Sequence, residues 1–457
     1  MTRVLYWNIE KFATNKIANP GNGRQNGAAL NQNQASVQRL AYINAHFGIT
    51  GALGAASPPD IFVVVEVATG YDGRGILARG SGPAGALTLL AALQATTGNP
   101  NWRLVPPLQT GPRESVAVYY DSTNYVFTGP WQWPGGVGPA FDPAGMGPPP
   151  VAAYPAPFVA PIVANAVVPA GAAHNVGIAQ SRLAAATGFT YAAALAPALA
   201  GPINFGGVRA PYWVSFAELG VGPAPRPVAR NISLFCIHSP AHAGAGVYLR
   251  RLNRIAEIAD GPLAGNEVRV VLGDFNVNLL NNDPLLTRNG NYATLAGNGY
   301  ALGIDRPGGP PAPLNGWPGY FATHIRRTSH ASYWSRNAQL EYYPGYGYTG
   351  THVIANFYSI DNILARYGGA AGGPMANVTV LNGIVGSNYG AIAPPPGAAP
   401  IGTYNLPIRM GNLVQFGAPP PAQAPVHNVG RQGAFRGWGN YGCIRSTSDH
   451  LAIVADI

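Results

Sequence analysis

Short apolar runs in this chain repeatedly carry, inside or at one end, a polar side chain that a plain hydrophobic core would not accept. Asn8 interrupts Val4–Ile9, Glu66 sits within Ile61–Val67, and His238 ends Ile232–His238. Asp274 and Asn276 flank Phe275 after Val268–Leu272, Asp361 and Asn362 precede Ile363 and Leu364, and Asp449 and His450 precede Leu451–Ile457. The runs are short and rich in β-branched residues, so they read as strands. Ile61–Val67 is apolar at almost every position, as in a strand covered on both faces. Each polar residue alone has a plain reading: an Asn cap, an Asp after Gly in a turn, a structural His. Their recurrence is harder to dismiss, because each buried carboxylate without a partner costs several kcal/mol. A hard divalent cation meets that need. Asn8, Glu66, Asp274, Asn276 and Asp449 offer carboxylate and amide oxygens, which suit Mg²⁺, with Mn²⁺ or Ca²⁺ as alternatives, better than zinc.

Helical patterns alternate with these strands. Residues 34–47 place Val37, Leu40, Ala41 and Phe47 among polar neighbours, 84–96 are rich in Ala and Leu, and 246–260 carry Leu252, Ile255 and Ala259 on one face. Ser115–Tyr120, Tyr212–Phe216 and Phe357–Ala365 read as further strands. Polar residues thus arrive at the C-terminal ends of strands, where α/β folds place their sites. Three segments rich in Pro, Gly and Ala, at about 129–207, 281–350 and 368–440, read as insertions in a single catalytic domain spanning 1–457.

The net charge of +9 favours a polyanionic partner. Lys11 and Lys16 are the only lysines, so the positive charge is almost all arginine. No strongly apolar run is long enough for a membrane span. The first residues lack the basic start, apolar stretch and small-residue site of a signal peptide. The expected location is therefore cytoplasmic, or outside the cell by a route without such a signal. Cys236 and Cys443 cannot build a disulfide framework and are expected as buried free thiols.

Taken in order, these motifs resemble the endonuclease/exonuclease/phosphatase superfamily, and deoxyribonuclease I most. Trp7-Asn8-Ile9-Glu10 is similar to its opening metal-site strand, Val65-Glu66-Val67 to its metal-binding Glu strand, and Arg113-Glu114-Ser115 to the segment whose Glu orients a catalytic His. Arg209-Ala210-Pro211 resembles a substrate-contacting Arg, Ile237-His238-Ser239-Pro240 the strand bearing that His, and Gly273-Asp274-Phe275-Asn276 the most recognisable block. Ser359-Ile360-Asp361-Asn362 resembles the segment supplying the Asp partner of a second His, and Ser448-Asp449-His450 the terminal block. At Ala68 the family has an arginine, and the three insertions have no counterpart.

The resemblance implies an α/β four-layered sandwich: two packed, mostly antiparallel sheets flanked by helices. It implies a Mg²⁺-dependent phosphodiesterase, with DNA as the expected partner and an endonuclease as the expected activity. His238, His450, Glu114, Asp361, Asp274 and Asn276 would be catalytic. Glu66, Asn8, Asp449 and Asp274 would hold metal, and Arg209, Asn276 and Asn362 would bind substrate. A sphingomyelinase-like lipid phosphodiesterase, another phosphoesterase of the superfamily, and a non-catalytic binding protein are the alternatives.

Overall fold

The computed structural model describes residues 1–18, 32–48, 58–70, 80–105, 109–129, 208–224, 226–241, 244–259, 261–279, 288–305, 359–369, 371–381 and 447–457, with a few short pieces between them. Trp131, Trp133 and Cys443, and most of the Pro/Gly/Ala-rich segments, lie outside these residues.

Two sheets dominate. The first has seven strands: β1 (Arg3–Phe12), β2 (Ile61–Ala68), β3 (Trp102–Leu104), β4 (Gln109–Gly111), β5 (Glu114–Asp121), and, much later in the chain, β12 (Ala376–Leu381) and β13 (Ala452–Asp456). The second has six: β6 (Tyr125–Gly129), β7 (Tyr212–Leu219), β8 (Val228–His238), β9 (Glu267–Asp274), β10 (Ala301–Leu302) and β11 (Asp361–Tyr367). The first runs β12-β13-β1-β2-β5-β3, with β4 also on β5, and the second runs β10-β11-β9-β8-β7-β6. Each sheet has one parallel pair, β1/β2 and β8/β9, and antiparallel pairing elsewhere. A parallel pair needs a crossover. Here α1 (Thr14–Ile17) and α2 (Gln32–Gly48) lie between β1 and β2 in the chain, and α4 (Gly244–Leu252) and α5 (Ala256–Ala259) between β8 and β9. The helix α3 (Ser81–Thr97) packs on β1, β2, β3 and β5. The sheets stack with β1 against β9, β2 against β8 and β11 against β13. This is the four-layered α/β sandwich expected from the sequence.

The stacking fixes where a site can form. The C-terminal ends of both parallel pairs lie at one edge. The antiparallel neighbours β5, β11 and β13 begin at that same edge, where Ala68 faces Glu114, Asp274 faces Asp361, and Ile453 faces Tyr6. A polar residue at the end of β1, β2, β8 or β9, or at the start of β5, β11 or β13, is thereby delivered to one place. The interior between is apolar, with Ile61 to Val65 and Val67 of β2 fully buried. Cys236 is a free thiol in that interior. Among the described residues no helix is long and apolar enough to cross a membrane.

Several expectations are refined by the structure. The segment expected as one helix over 246–260 holds two, α4 and α5: i→i−3 bonds from Arg254 to Arg251 (3.0 Å) and Ile255 to Leu252 (3.1 Å) tighten the chain after α4. Of the strand expected over Phe357–Ala365, Phe357 and Tyr358 lie outside the described residues, and the strand runs from Asp361, preceded by Ser359 donating to Asn278 Oδ1 (2.9 Å) and Ile360 to Thr323 Oγ1 (3.0 Å). Finally, β10 and β12 pair within the sheets, so parts of the segments read as insertions at 281–350 and 368–440 belong to the sandwich itself.

Gly273 illustrates how tightly the second parallel pair closes. It pairs with Ile237, has φ +150°, and a Cβ there would lie 2.0 Å from the Ile237 carbonyl oxygen. Gly273→Ala is expected to destabilise the protein by about 3 kcal/mol or more. Chemical denaturation checks this, and an unchanged midpoint contradicts it.

Candidate active site

Glu66 reaches the edge through an irregularity. The β1–β2 register runs evenly to Asn8 opposite Val65 and then jumps to Phe12 opposite Val67, and the β2–β5 register shifts between Val64 and Val67. Glu66 occupies that break with φ 63°. A left-handed conformation costs a non-glycine residue about 1–2 kcal/mol. Bulges re-aim side chains beside functional sites, and backbone strain tends to collect there. Glu66 is accordingly half-buried while Val65 and Val67 are sealed in the core.

Two imidazole–carboxylate pairs face each other across the edge. His238 Nδ1 lies 2.8 Å from Glu114 Oε2, and His450 Nδ1 lies 2.8 Å from Asp361 Oδ2. Their Nε2 atoms converge on one oxygen, Asp274 Oδ2, at 3.5 Å from His238 and 3.8 Å from His450. Asp274 is steadied by the Asn276 backbone N–H (2.8 Å), Asn276 Nδ2 (3.1 Å) and Asn8 Nδ2 (3.2 Å). Asn276 also donates to the Ser239 carbonyl at 2.9 Å. Asn8 Nδ2 is 3.4 Å from His450 Nε2. With Nδ1 donating to Asp361, that Nε2 can accept only in the neutral ring.

The electrostatics follow from burial and pairing. Burial works to lower the pKa of His450, but the charge and hydrogen bond of Asp361, with Asp274 and Asp449 beyond, outweigh it and hold His450 well above the usual imidazole range. His238 is likewise raised, with burial opposing and Glu114 then Asp274 prevailing. Burial would raise Glu114, yet His238 and Arg209 hold it below the usual carboxylate range. Burial raises Asp274 and Glu66, partly countered by the two histidines. A histidine raised above its unfolded value near 6.5 contributes stability that is complete below about pH 6.5 and lost as pH rises through the raised value. In chelator the melting temperature is therefore expected to fall as pH rises above about 6.5, and Asp361→Asn to flatten part of that fall. A melting temperature rising over that range contradicts the assignment.

Not every expected residue joins the site as anticipated. Asn362, expected among the substrate-binding residues, is engaged away from the edge. It is 1% exposed, and its amide is consumed by Ile304, donating to the carbonyl at 2.8 Å and accepting from the N–H at 2.9 Å. Alternation along β11 sends Asp361 to the site and Asn362 to the opposite face. Arg209 reaches the site, but its guanidinium is engaged with Glu114 through Nε and an Nη, so it steadies the His238 partner. Three contributors escaped the sequence reading. Tyr6 donates to Asp361 Oδ1 at 2.7 Å, and burial and the Asp361 charge keep that hydroxyl protonated. Ser448 Oγ accepts from the His450 N–H at 2.9 Å and so sets the terminal turn. His324 Nε2 stands 3.6 Å from Asp449 Oδ2. Tyr6 was detectable, since it precedes Asn8 by two along a strand and shares its face. His324 sits in loop sequence without a strand pattern to flag it.

A divalent cation fits these residues. Asn8 Oδ1 is buried and has no hydrogen-bond partner, while Asn8 Nδ2 is turned to Asp274. A buried acceptor in that state needs an explanation, and a bound cation supplies one. Among the described residues two groups of carboxylates and histidines have ligand atoms within 4.8 Å of one another: Asp274, Asp361 and His450, and His324, Asp449 and His450. Glu66 is in neither group.

No protein-family model and no curated protein matches the chain. Solved structures do. One is an endonuclease/exonuclease/phosphatase family protein from Leptotrichia buccalis, at 9% identity and TM-score 0.38, covering 100% of this chain and 99% of the other. Another is sphingomyelinase C from Streptomyces griseocarneus, at 13% identity and TM-score 0.37, covering 99% and 98%. A third is D. rerio TDP2 complexed with a single-strand DNA product, at 9% identity and TM-score 0.35, covering 99% and 97%. At such identities and TM-scores they carry no weight for activity, and the sandwich rests on its own strand order and pairing.

Proposed function

We propose that this chain is a divalent-metal-dependent phosphodiesterase of the endonuclease/exonuclease/phosphatase type, and that it cleaves DNA endonucleolytically. The observation that carries the reading is the convergence of both imidazole Nε2 atoms on Asp274 Oδ2, each ring backed by its own carboxylate. Phosphodiester hydrolysis needs a base for water, an acid for the leaving oxygen, and stabilisation of charge between them. Asp361 holds the proton on His450 Nδ1, so that in the neutral ring, which the raised pKa of His450 places toward alkaline pH, Nε2 takes one from water. Glu114 does the same for His238, and its field favours the imidazolium that gives a proton to the leaving oxygen. Asn276 Nδ2 and Asp274 order the space between. Glu66, Asn8 Oδ1 and Asp449 would hold Mg²⁺, which when bound polarises a phosphate oxygen and offsets the surrounding carboxylate charge.

The net charge of +9 favours a polyanion over a neutral lipid. A panel of supercoiled DNA, RNA, sphingomyelin vesicles and inositol phosphates, assayed in Mg²⁺, tests the substrate. DNA is expected to be cut fastest, and cleavage to stop in chelator. Faster turnover of sphingomyelin moves the assignment to the lipid branch, and turnover unaffected by chelator removes the metal from the account.

A further inference from the structure

The imidazole added by His324 makes a second kind of donor set beside the oxygen-rich one. Its position is built. His324 and His450 form an antiparallel β-bridge, which puts both side chains on one face. The bridge is extended by Leu451 N–H donating to the Thr323 carbonyl at 2.7 Å. Thr323, itself fully buried, takes the Ile360 and Asp361 amides on its hydroxyl at 3.0 Å each, so the segment is tied to β11 as well. The two rings stand 5.0 Å apart at 79°, edge to face and not stacked. Between them lies the Asp449 carboxylate, Oδ2 3.6 Å from His324 Nε2 and Oδ1 3.8 Å from His450 Nε2. These separations are too long for hydrogen bonds. They are within a few tenths of an ångström of the spacing, about 3.3 Å, between atoms held about 2.0 Å from one tetrahedral ion.

We infer that His324, Asp449 and His450 form a site for an imidazole-preferring divalent ion, with zinc as its natural probe, and that its occupation switches hydrolysis off. Two imidazoles and one carboxylate leave a fourth position for water and select zinc-like ions over Mg²⁺. Inhibition follows from shared atoms: such an ion occupies the His450 Nε2 lone pair and takes Asp449 from the oxygen-rich set. The inhibitory half rests on the reading of His450 as the base, whereas the binding half does not.

Calorimetric titration of the full chain with Zn²⁺, in excess Mg²⁺, tests the site without reference to activity. One Zn²⁺ per chain is expected, with affinity falling by about 100-fold or more in His324→Ala, since even residues that only support ligands cost 10–100-fold. His324→Gln, which keeps most of the side-chain volume, serves if the alanine variant fails to fold. Zinc is also expected to inhibit the wild type reversibly, and to inhibit His324→Ala less when each rate is taken against its own zinc-free value. Absence of zinc binding in excess Mg²⁺, or equal affinity in the His324 variants, overturns the site. Zinc held through His324 with no loss of rate overturns the part assigned to His450. If no phosphodiester is hydrolysed at all, the proposed function fails and the titration still decides the site.

Discussion

His450→Ala is expected to lower turnover by about 10²–10⁴-fold, the range for a positioned acid–base group, with little change in substrate affinity. The residue is buried, its Nδ1 is fixed by Asp361 at 2.8 Å, and Asp361 is fixed in turn by Tyr6 at 2.7 Å. Asp361→Asn should cost almost as much. An amide can face Nδ1 with its NH₂, which favours the tautomer whose proton sits on Nε2, where the lone pair is needed. Because the two residues work as one unit, the double variant is expected to be hardly slower than His450→Ala alone. Kinetic constants for the three variants check this. Additive losses would mean that Asp361 acts on something other than His450.

Glu66→Gln is expected to be slower by a similar factor at fixed low Mg²⁺, and to recover partly as Mg²⁺ is raised. The carboxylate is held at φ 63° in a register break, and burial raises its pKa. Both features disfavour an isolated charged glutamate there, and a cation relieves the second. The same substitution should raise the melting temperature in chelator, because removing a half-buried charge removes its desolvation cost. A site residue retained against stability would give this opposite movement of activity and stability. If Glu66→Gln loses stability and keeps its Mg²⁺ dependence, Glu66 is a structural residue and the metal is held elsewhere.

Much of this architecture was legible from the chain. Polar residues that break short apolar strands were readable because period-two alternation makes Asn8, Glu66 and Asp274 conspicuous against valine and isoleucine. Sequence order then gave the two His–carboxylate pairs by resemblance, and the structure brings both pairs together. What escaped depends on long-range placement. Asn362 looked equivalent to Asp361, but adjacent strand residues face opposite ways, and only the sheet stacking says which face is the site. Arg209 looked like a ligand for phosphate, and its guanidinium is engaged with Glu114, a residue far away in sequence. Strands β10 and β12 lie in stretches whose composition suggested insertion, since an edge strand of two to six residues leaves little periodic signal. His324 meets His450 through a backbone bridge between residues far apart in the chain, a contact no local pattern encodes.

Conversion of supercoiled plasmid in Mg²⁺, by wild type and by His450→Ala with and without chelator, decides whether this edge hydrolyses DNA. Nicked circles are expected from the wild type in Mg²⁺, none in chelator, and a rate lower by at least about 100-fold for the folded His450→Ala protein. Intact plasmid from a folded, Mg²⁺-loaded wild type, or nicking that survives either chelator or the loss of His450, would contradict the proposed function.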